Sequence, residues 1–360
     1  MAYVYRNRTA ILAVLGATVL LAGCAQGNAG NTASQDDSSS SDAAKTVTIA
    51  VHDSFPGDEF AAAASKATGY DVKVVETGDG SELANKLVLT KDAPIADAFF
   101  GVTNLRAAKL VEEGAVAPYK PAKQSANAAN FAFDKADSIT PIDEGSVCFN
   151  IDPAWFVEKG IPEPKTFEDL TAETYKGLTA IIDPSASDTG RALLAGTVAK
   201  FGEEGYLDYW KQLLDNGARL EQGWSAAYNG QFTQGGENGT FPIVLSYASS
   251  PAWTVNDEGT ESSTKALLET CTDVVEYAGV LAGASNEAGA KAVIDYMVSG
   301  EFQATIPDTM YMYPVDDSVE LPEEWAKFAP RPTTRWNVPA ERVGKEIETW
   351  VRDWLNNFSE

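Results

Sequence analysis

Four short polar clusters carry the chemistry open to this chain: Asp53-Ser54, Asp79-Gly80, Ser187-Asp188 and the run Tyr247-Ala248-Ser249-Ser250-Pro251. Each follows a stretch that reads as a strand, so each gathers hydroxyls, carboxylates or free amides at a strand end. In open α/β sheets, small ligands bind at the carboxyl ends of the strands. Trp224 and Tyr247 add aromatic faces suited to a flat or cationic ligand, although both residue types read equally well as core aromatics. Catalytic sets are thin. With one histidine, His52, and three cysteines, a histidine-based metal cluster or a Ser-His-Asp triad has little to build with. No Gly-x-Gly-x-x-Gly follows a strand, and no Gly-x-x-x-x-Gly-Lys occurs to cradle phosphate. The pattern points to capture of a small molecule rather than its conversion.

The elements that must position these clusters begin with a β-α-β-α rhythm. Thr46–Val51 reads as a strand ending at His52-Asp53-Ser54-Phe55, and a helix over about Asp58–Thr68 stops at Gly69. Tyr70–Glu76 is a second strand, and the turn Gly78-Asp79-Gly80-Ser81 leads a helix to Leu89. Ala96–Phe100 and Asn104–Glu113 supply a third strand and helix. This alternation predicts a parallel sheet with covering helices. Gly145–Asn150, Thr179–Ile182, Phe241–Tyr247 and Asp273–Leu281 read as further strands, and Thr166–Leu170 as a helical turn. Helices are expected over Arg191–Phe201, Gly205–Asn216 and Glu287–Ser299, and 300–360 reads as helical with Pro-rich interruptions. The unpaired amides that open the helix after Ser187-Asp188 face whatever sits at that strand end. Ser250 before Pro251 reads as a helix start, its oxygen accepting an orphan amide.

The chain of 360 residues is too long for one simple core and suits two lobes. Hydrophobic content of 44% and charged content of 22% are those of a soluble globular protein. At the start, Arg6 and Arg8 precede an apolar run, Ala10–Leu21, too short to span a bilayer as a mature helix. The run ends in Leu21-Ala22-Gly23-Cys24, which resembles a bacterial lipobox. That resemblance implies a signal peptide over 1–23, cleavage before Cys24, and a lipid on Cys24 as the link to the outer face of the cell membrane. Residues 24–45 then form a tether without large apolar side chains. Losing Arg6 and Arg8 with the leader takes the formal charge from −25 to −27. Such acidity repels phosphate backbones and argues against a nucleic-acid partner.

From about Val47 to its end, the chain resembles the thiamine-binding lipoproteins of bacterial ABC importers, within the type II periplasmic-binding-protein fold. The pieces that carry the resemblance are Asp53-Ser54-Phe55, Gly78-Asp79-Gly80, Gly223-Trp224-Ser225 with Tyr228, and Leu245-Ser246-Tyr247 with Ser249-Ser250-Pro251. Ile306-Pro307 and Met312-Tyr313-Pro314-Val315 complete the set. The resemblance implies two α/β lobes closing on thiamine or a thiamine phosphate in the cleft between them. It implies no cofactor, a monomer, and an ABC permease as partner. Lobe one would comprise 46–144 plus 279–360, and lobe two 145–278. The family's ligand contacts fall on Asp79, Gly80, Ser187, Trp224 and Tyr247 through Pro251, which includes Ala248, Ser249 and Ser250. Its stacking aromatic falls on Tyr311, where tryptophan is common. Asp53, Ser54 and Asp188 join as candidate contacts. The family often has tyrosine at the place of His52 and threonine at that of Asp188.

Thiamine's chemistry agrees with these residues. Trp224, Tyr247 and Tyr311 can hold its cationic thiazolium and pyrimidine rings, at about 0.5 to 2 kcal/mol per cation–π contact. Asp79 or Asp53 can accept from the pyrimidine amine. Two other readings belong to the same fold. A ferric-iron carrier lacks its adjacent tyrosine pair, since Tyr311 and Tyr313 are separated. A thiaminase-like enzyme needs a nucleophilic cysteine at the cleft. In this fold the strands bearing Cys148 and Cys271 cross between the lobes side by side, so a disulfide is expected in an oxidising exterior. It would remove both thiols from nucleophilic attack. Two unrelated buried cysteines are the alternative.

Overall fold

A computed structural model describes residues 45–134, 136–236 and 238–358. The expected signal peptide, the lipid site at Cys24 and the tether up to residue 44 lie outside the described residues.

The opening elements build as their patterning predicts. β1 (Thr46–Val51) leads to α1 (Gly57–Thr68), which Gly69 closes at φ 76°. β2 (Asp71–Glu76) leads to α2 (Gly80–Leu89), capped by the Asp79 side chain accepting from the Ser81 amide. β3 (Ala98–Thr103) precedes α3 (Ala107–Glu112). β3 starts later than the expected 96–100 because Asp97 serves as a bracket: its carboxylate accepts the amides of Thr48 at 2.9 Å and Asn286 at 2.8 Å.

β4 (Val116–Ala117) is short, and β5 (Thr140–Ile151) is buried along its whole length. β5 extends past the expected 145–150 because its first half, although polar, lies inside the sheet. After α4 (Pro153–Lys159) and β6 (Thr179–Ile182) comes α5 (Asp188–Asp215), which breaks at Gly202 with φ 72°. That break separates the two helices expected there. Next come β7 (Arg219–Glu221), a π-helical turn over Ala226–Gln231, β8 (Ile243–Tyr247), α6 (Ser250–Trp253), β9 (Lys265–Ala266) and β10 (Thr272–Leu281). The chain ends with α7 (Glu287–Met297), α8 (Gly300–Gln303), α9 (Ile306–Thr309), β11 (Tyr313–Pro314), α10 (Glu323–Phe328) and α11 (Ala340–Phe358). Ser250 acts differently from the expected cap. It lies inside the first turn of α6, and its Oγ takes the Tyr247 amide behind it at 3.1 Å.

The main strands follow the order β2-β1-β3-β10-β5-β8-β6-β7 in one sheet. Parallel pairs form each flank, and the antiparallel pair β10–β5 joins them. The expected lobe boundaries, 144/145 and 278/279, fall within these two central strands. Cys148 and Cys271 are bridged there, with S–S 2.09 Å. α11 buries Val343, Ile347, Trp350, Val351 and Trp354 along one stripe. Trp354 meets Trp210 of α5 edge-on at 5.4 Å, and Glu348 pairs with Arg191 of α5 at 2.8 Å. The end of the chain thus packs on a helix of each flank, meeting α5 through these pairs and α3 where Gly344 lies against Ala108.

Candidate functional site

The carboxyl ends of strands from both flanks converge on a cleft of about 440 Å³, a size suited to a small organic ligand. The β1 end contributes His52, Asp53 and Ser54, the turn into α2 contributes Asp79 and Gly80, and β3 contributes Gly101 and Thr103. From the other flank come Ser187 and Asp188 at the start of α5, then Trp224, Tyr228, Tyr247 and Ser250. Tyr311 and its neighbours Met310 and Met312 complete the wall, with Glu276 from β10.

Of the residues expected from the sequence, Asp53, Ser54, Asp79, Gly80, Ser187, Asp188, Trp224, Tyr247, Ser250 and Tyr311 line this cleft. Ala248, Ser249 and Pro251 do not. The turn from β8 into α6 aims Tyr247 and Ser250 at the cleft and rotates the other three away. Ala248 packs against Cys148 and Cys271, Ser249 is buried, and the Pro251 carbonyl accepts the Ser262 hydroxyl at 2.8 Å.

A polar seam crosses between the flanks. The Ser187 hydroxyl donates to Asp79 Oδ2 at 2.9 Å, and the Asp188 amide to Asp79 Oδ1 at 3.4 Å. Asp79 therefore sits at the start of α5, where free amides and the helix dipole favour an anion. Asp188 reaches the other way. Its carboxylate receives Arg106 Nε at 2.5 Å, the Thr103 hydroxyl at 2.7 Å and the Ser81 hydroxyl at 3.4 Å. Burial, and after it the charge of Asp188, raise the Asp79 carboxyl from 3.8 to about 6. The bonds from Ser187 and from the amides of Ser81 and Asp188 pull the other way without cancelling this. With Asp79's acceptors taken up by the protein, Asp53 is the freer carboxylate: its bond within the turn is from Ser54 Oγ at 3.2 Å.

Aromatic surfaces form the rest of the wall. Trp224 stacks on Tyr228, centroids 5.0 Å apart and planes 13° apart, and its Nε1 donates to Ser246 Oγ at 2.8 Å. Tyr311 has φ 53°, a left-handed conformation that a bulky residue seldom takes. Trp253 meets the Tyr311 ring edge-on at 4.9 Å and is 63% exposed. Gly101 shows why His52 can lie against β3: a Cβ there would collide with His52 Cδ2.

Sequence reasoning missed Arg106, Thr103, Trp253, Glu276 and the two methionines. Arg106 and Glu276 left a trace, each being a charged residue within a stretch read as a helix or a strand. Nothing local distinguishes Trp253 from other aromatics.

Comparison with known proteins agrees with this geometry. The profile described as bacterial extracellular solute-binding protein matches residues 94–338. A thiamine-binding periplasmic protein of Brucella suis biovar 1 (strain 1330) is 29% identical over 320 residues, covering 86% of this chain and 91% of that one. Among solved structures, a periplasmic thiamin binding protein superposes with TM-score 0.75 at 25% identity, covering 88% of this chain and 96% of that one. A ferric binding protein from Campylobacter jejuni superposes with TM-score 0.69 at 18% identity, over 87% of this chain and 99% of that one. The latter likeness is one of fold. The mixed sheet has the type II arrangement of periplasmic binding proteins.

Proposed function

This chain belongs to the bacterial extracellular solute-binding protein family, and on that premise we propose that it captures thiamine outside the cytoplasm and delivers it to an ABC permease. In this reading the flanks of the sheet are two lobes that hinge at β5 and β10 and close on the ligand. Cys24 carries the lipid that holds the protein at the membrane, and the protein acts as a monomer. The observation that carries the reading is the convergence of Trp224, Tyr247 and Tyr311 with several carboxylates on one cleft, in a chain whose relatives bind thiamine. Aromatic faces attract the thiazolium charge, and carboxylates accept from the aminopyrimidine.

Two features favour a carrier of thiamine over the other readings. Among the described residues, the cysteines are Cys148 and Cys271, joined to each other and buried, so a thiaminase-like attack has no thiolate there. The adjacent tyrosine pair of a ferric-iron carrier is also missing from the cleft wall, where Tyr311 is present and Tyr313 is buried away from it. The seam supports one vitamer over the other. The Asp79 carboxylate already takes the donors at the start of α5, and Asp188 lies beside it, so a diphosphate would meet negative charge. Free thiamine is expected to bind more tightly than thiamine diphosphate, and Asp188→Thr to narrow the gap.

Native mass spectrometry of the purified mature protein tests the central claim. Retained thiamine, or its uptake when added, supports it. Uptake of ferric ion or another solute in its place removes it, and calorimetry with both vitamers decides the preference.

A further inference from the structure

A pair of carboxyl groups between the two central strands adds a charge that none of the expected contact residues supplies. Glu276 of β10 lines the cleft, and its partner in the ladder is Asp143 of β5. Asp143 is fully buried, and no donor group reaches either of its oxygens. What faces it is the Glu276 carboxyl, with which it shares a hydrogen bond. Two carboxyl groups can share a hydrogen bond when one of them is protonated. Burial, and then the charge of Glu276, push the Asp143 carboxyl well above the usual carboxylate range. Asp143 is therefore held as the neutral partner behind Glu276, the carboxyl that faces the cleft.

Among the described residues, no lysine or arginine forms an ion pair with Glu276, and His52 is the one basic side chain that approaches it. β3 brings Thr103 opposite Glu276, β8 brings Tyr247, and β11 sets Pro314 against Asp143. From the β1 end, His52 Nε2 stands 3.6 Å from Glu276 Oε1, beyond hydrogen-bond reach. His52 Nδ1 accepts the Ser54 amide at 3.3 Å, so Nε2 is the side that carries hydrogen toward Glu276. The nearby arginines are engaged elsewhere: Arg106 with Asp188, Arg331 with Glu144 and Arg335 with Asp273. A carboxylate at the wall of a ligand cleft with no resident cation is costly to keep. A cationic ligand removes that cost.

We propose that Glu276 is the counter-charge that selects a cationic ligand in the cleft, and that Asp143 is the positioning residue that holds it there. The inference rests on the thiamine reading and adds to it, because stacking alone would accept a neutral ring of the same shape. The test is calorimetric titration at pH 7.5 of the mature protein with thiamine and with its neutral isostere, in which carbon replaces the quaternary nitrogen. The unaltered protein should prefer thiamine by roughly 10- to 100-fold. Glu276→Gln should collapse that ratio to within about twofold, as expected when a single charged contact is lost. Asp143→Asn, whose amide still donates, should retain the preference, whereas Asp143→Leu should lose it.

The outcomes separate. If the unaltered protein binds both ligands equally, the selective charge is not there and the inference falls while the thiamine reading stands. A preference that survives Glu276→Gln also overturns it, as does equal loss of both ligands in a folded Glu276→Gln variant. Failure of either ligand to bind the unaltered protein removes the thiamine reading, and this inference with it. The comparison on the unaltered protein needs no variant, so the inference stays open to refutation even if a substitution prevents folding.

Discussion

Where β5 and β10 run side by side, the Cys148–Cys271 bridge ties the sheet's two flanks through a covalent bond among fully buried side chains. Across the cleft the same flanks meet through Asp79, Ser187, Asp188 and Arg106, in contacts that water can replace. The first join is covalent, and in the binding cycle proposed above it stays in place. The second is a set of polar bonds whose strength depends on staying dry, because an ion pair gains or loses several kcal/mol with its exposure. The hinged capture proposed above needs both. Stability belongs to the crossing strands and reversibility to the seam.

The largest effect should come from cutting the covalent join. Cys148 and Cys271 are separated by 123 residues, so replacing both with alanine should cost about 4–5 kcal/mol by the chain-entropy model. Urea unfolding would record that loss, while thiamine affinity should stay within about threefold, since the bridge lies off the ligand wall. A large loss of affinity at unchanged stability would reverse the assignment of roles.

Next comes the seam. Arg106→Gln leaves Asp188 buried without its cation, at a cost of about 3–4 kcal/mol to the closed, empty form. Small-angle scattering should then report a larger ligand-free radius of gyration, with the thiamine-bound value unchanged. An unaltered ligand-free radius would mean that the pair does not hold the cleft shut.

The aromatic wall should matter to affinity and not to closure. Trp224→Ala removes a stacking face and leaves Ser246 without its indole donor, so thiamine should bind about 30-fold more weakly, near 2 kcal/mol. Added thiamine should quench the tryptophan fluorescence of the unaltered protein. If calorimetry finds the same dissociation constant in both proteins, Trp224 serves only the packing.

The smallest effect is a dependence on pH. The Asp79 carboxyl is raised to about 6 against an ordinary 3.8. Its contribution to stability is complete below the ordinary value and is lost as pH rises through 6. A bound cation favours the charged carboxylate, so binding expels a proton at pH 5 and not at pH 7.5. Affinity for thiamine should therefore fall roughly tenfold between pH 7.5 and 5. Asp79→Asn should flatten that slope, and an unchanged slope in the variant would assign it to another group.

Most of the wall is legible in the amino-acid sequence. Asp79, Ser187, Trp224 and Tyr247 stand in the cleft beside turns readable from neighbouring residues, whereas Tyr311 came from the family resemblance alone. Where sequence and structure part, the cause is local as well. Ala248, Ser249 and Pro251 share a motif with Tyr247 and Ser250, but a tight turn presents only some of its residues to one side. Asp188 reads from the sequence as a candidate ligand contact, and while it lines the cleft its oxygens are taken up by Arg106, Thr103 and Ser81.

The sequence by itself determined the β-α rhythm, the polar turns at strand ends and the strands that hold the cysteines, since hydrophobic period and turn chemistry act over a few residues. Only the tertiary structure decided which of those ends would face each other. Arg106 meets Asp188 across a separation of 82 residues, and Asp143 meets Glu276 only because β5 and β10 are neighbours in the sheet. Such partnerships depend on strand order and on which groups lose their water together. Neither property is local to any stretch of the chain, because burial is a consequence of packing and the strength of a charge pair is set by that burial.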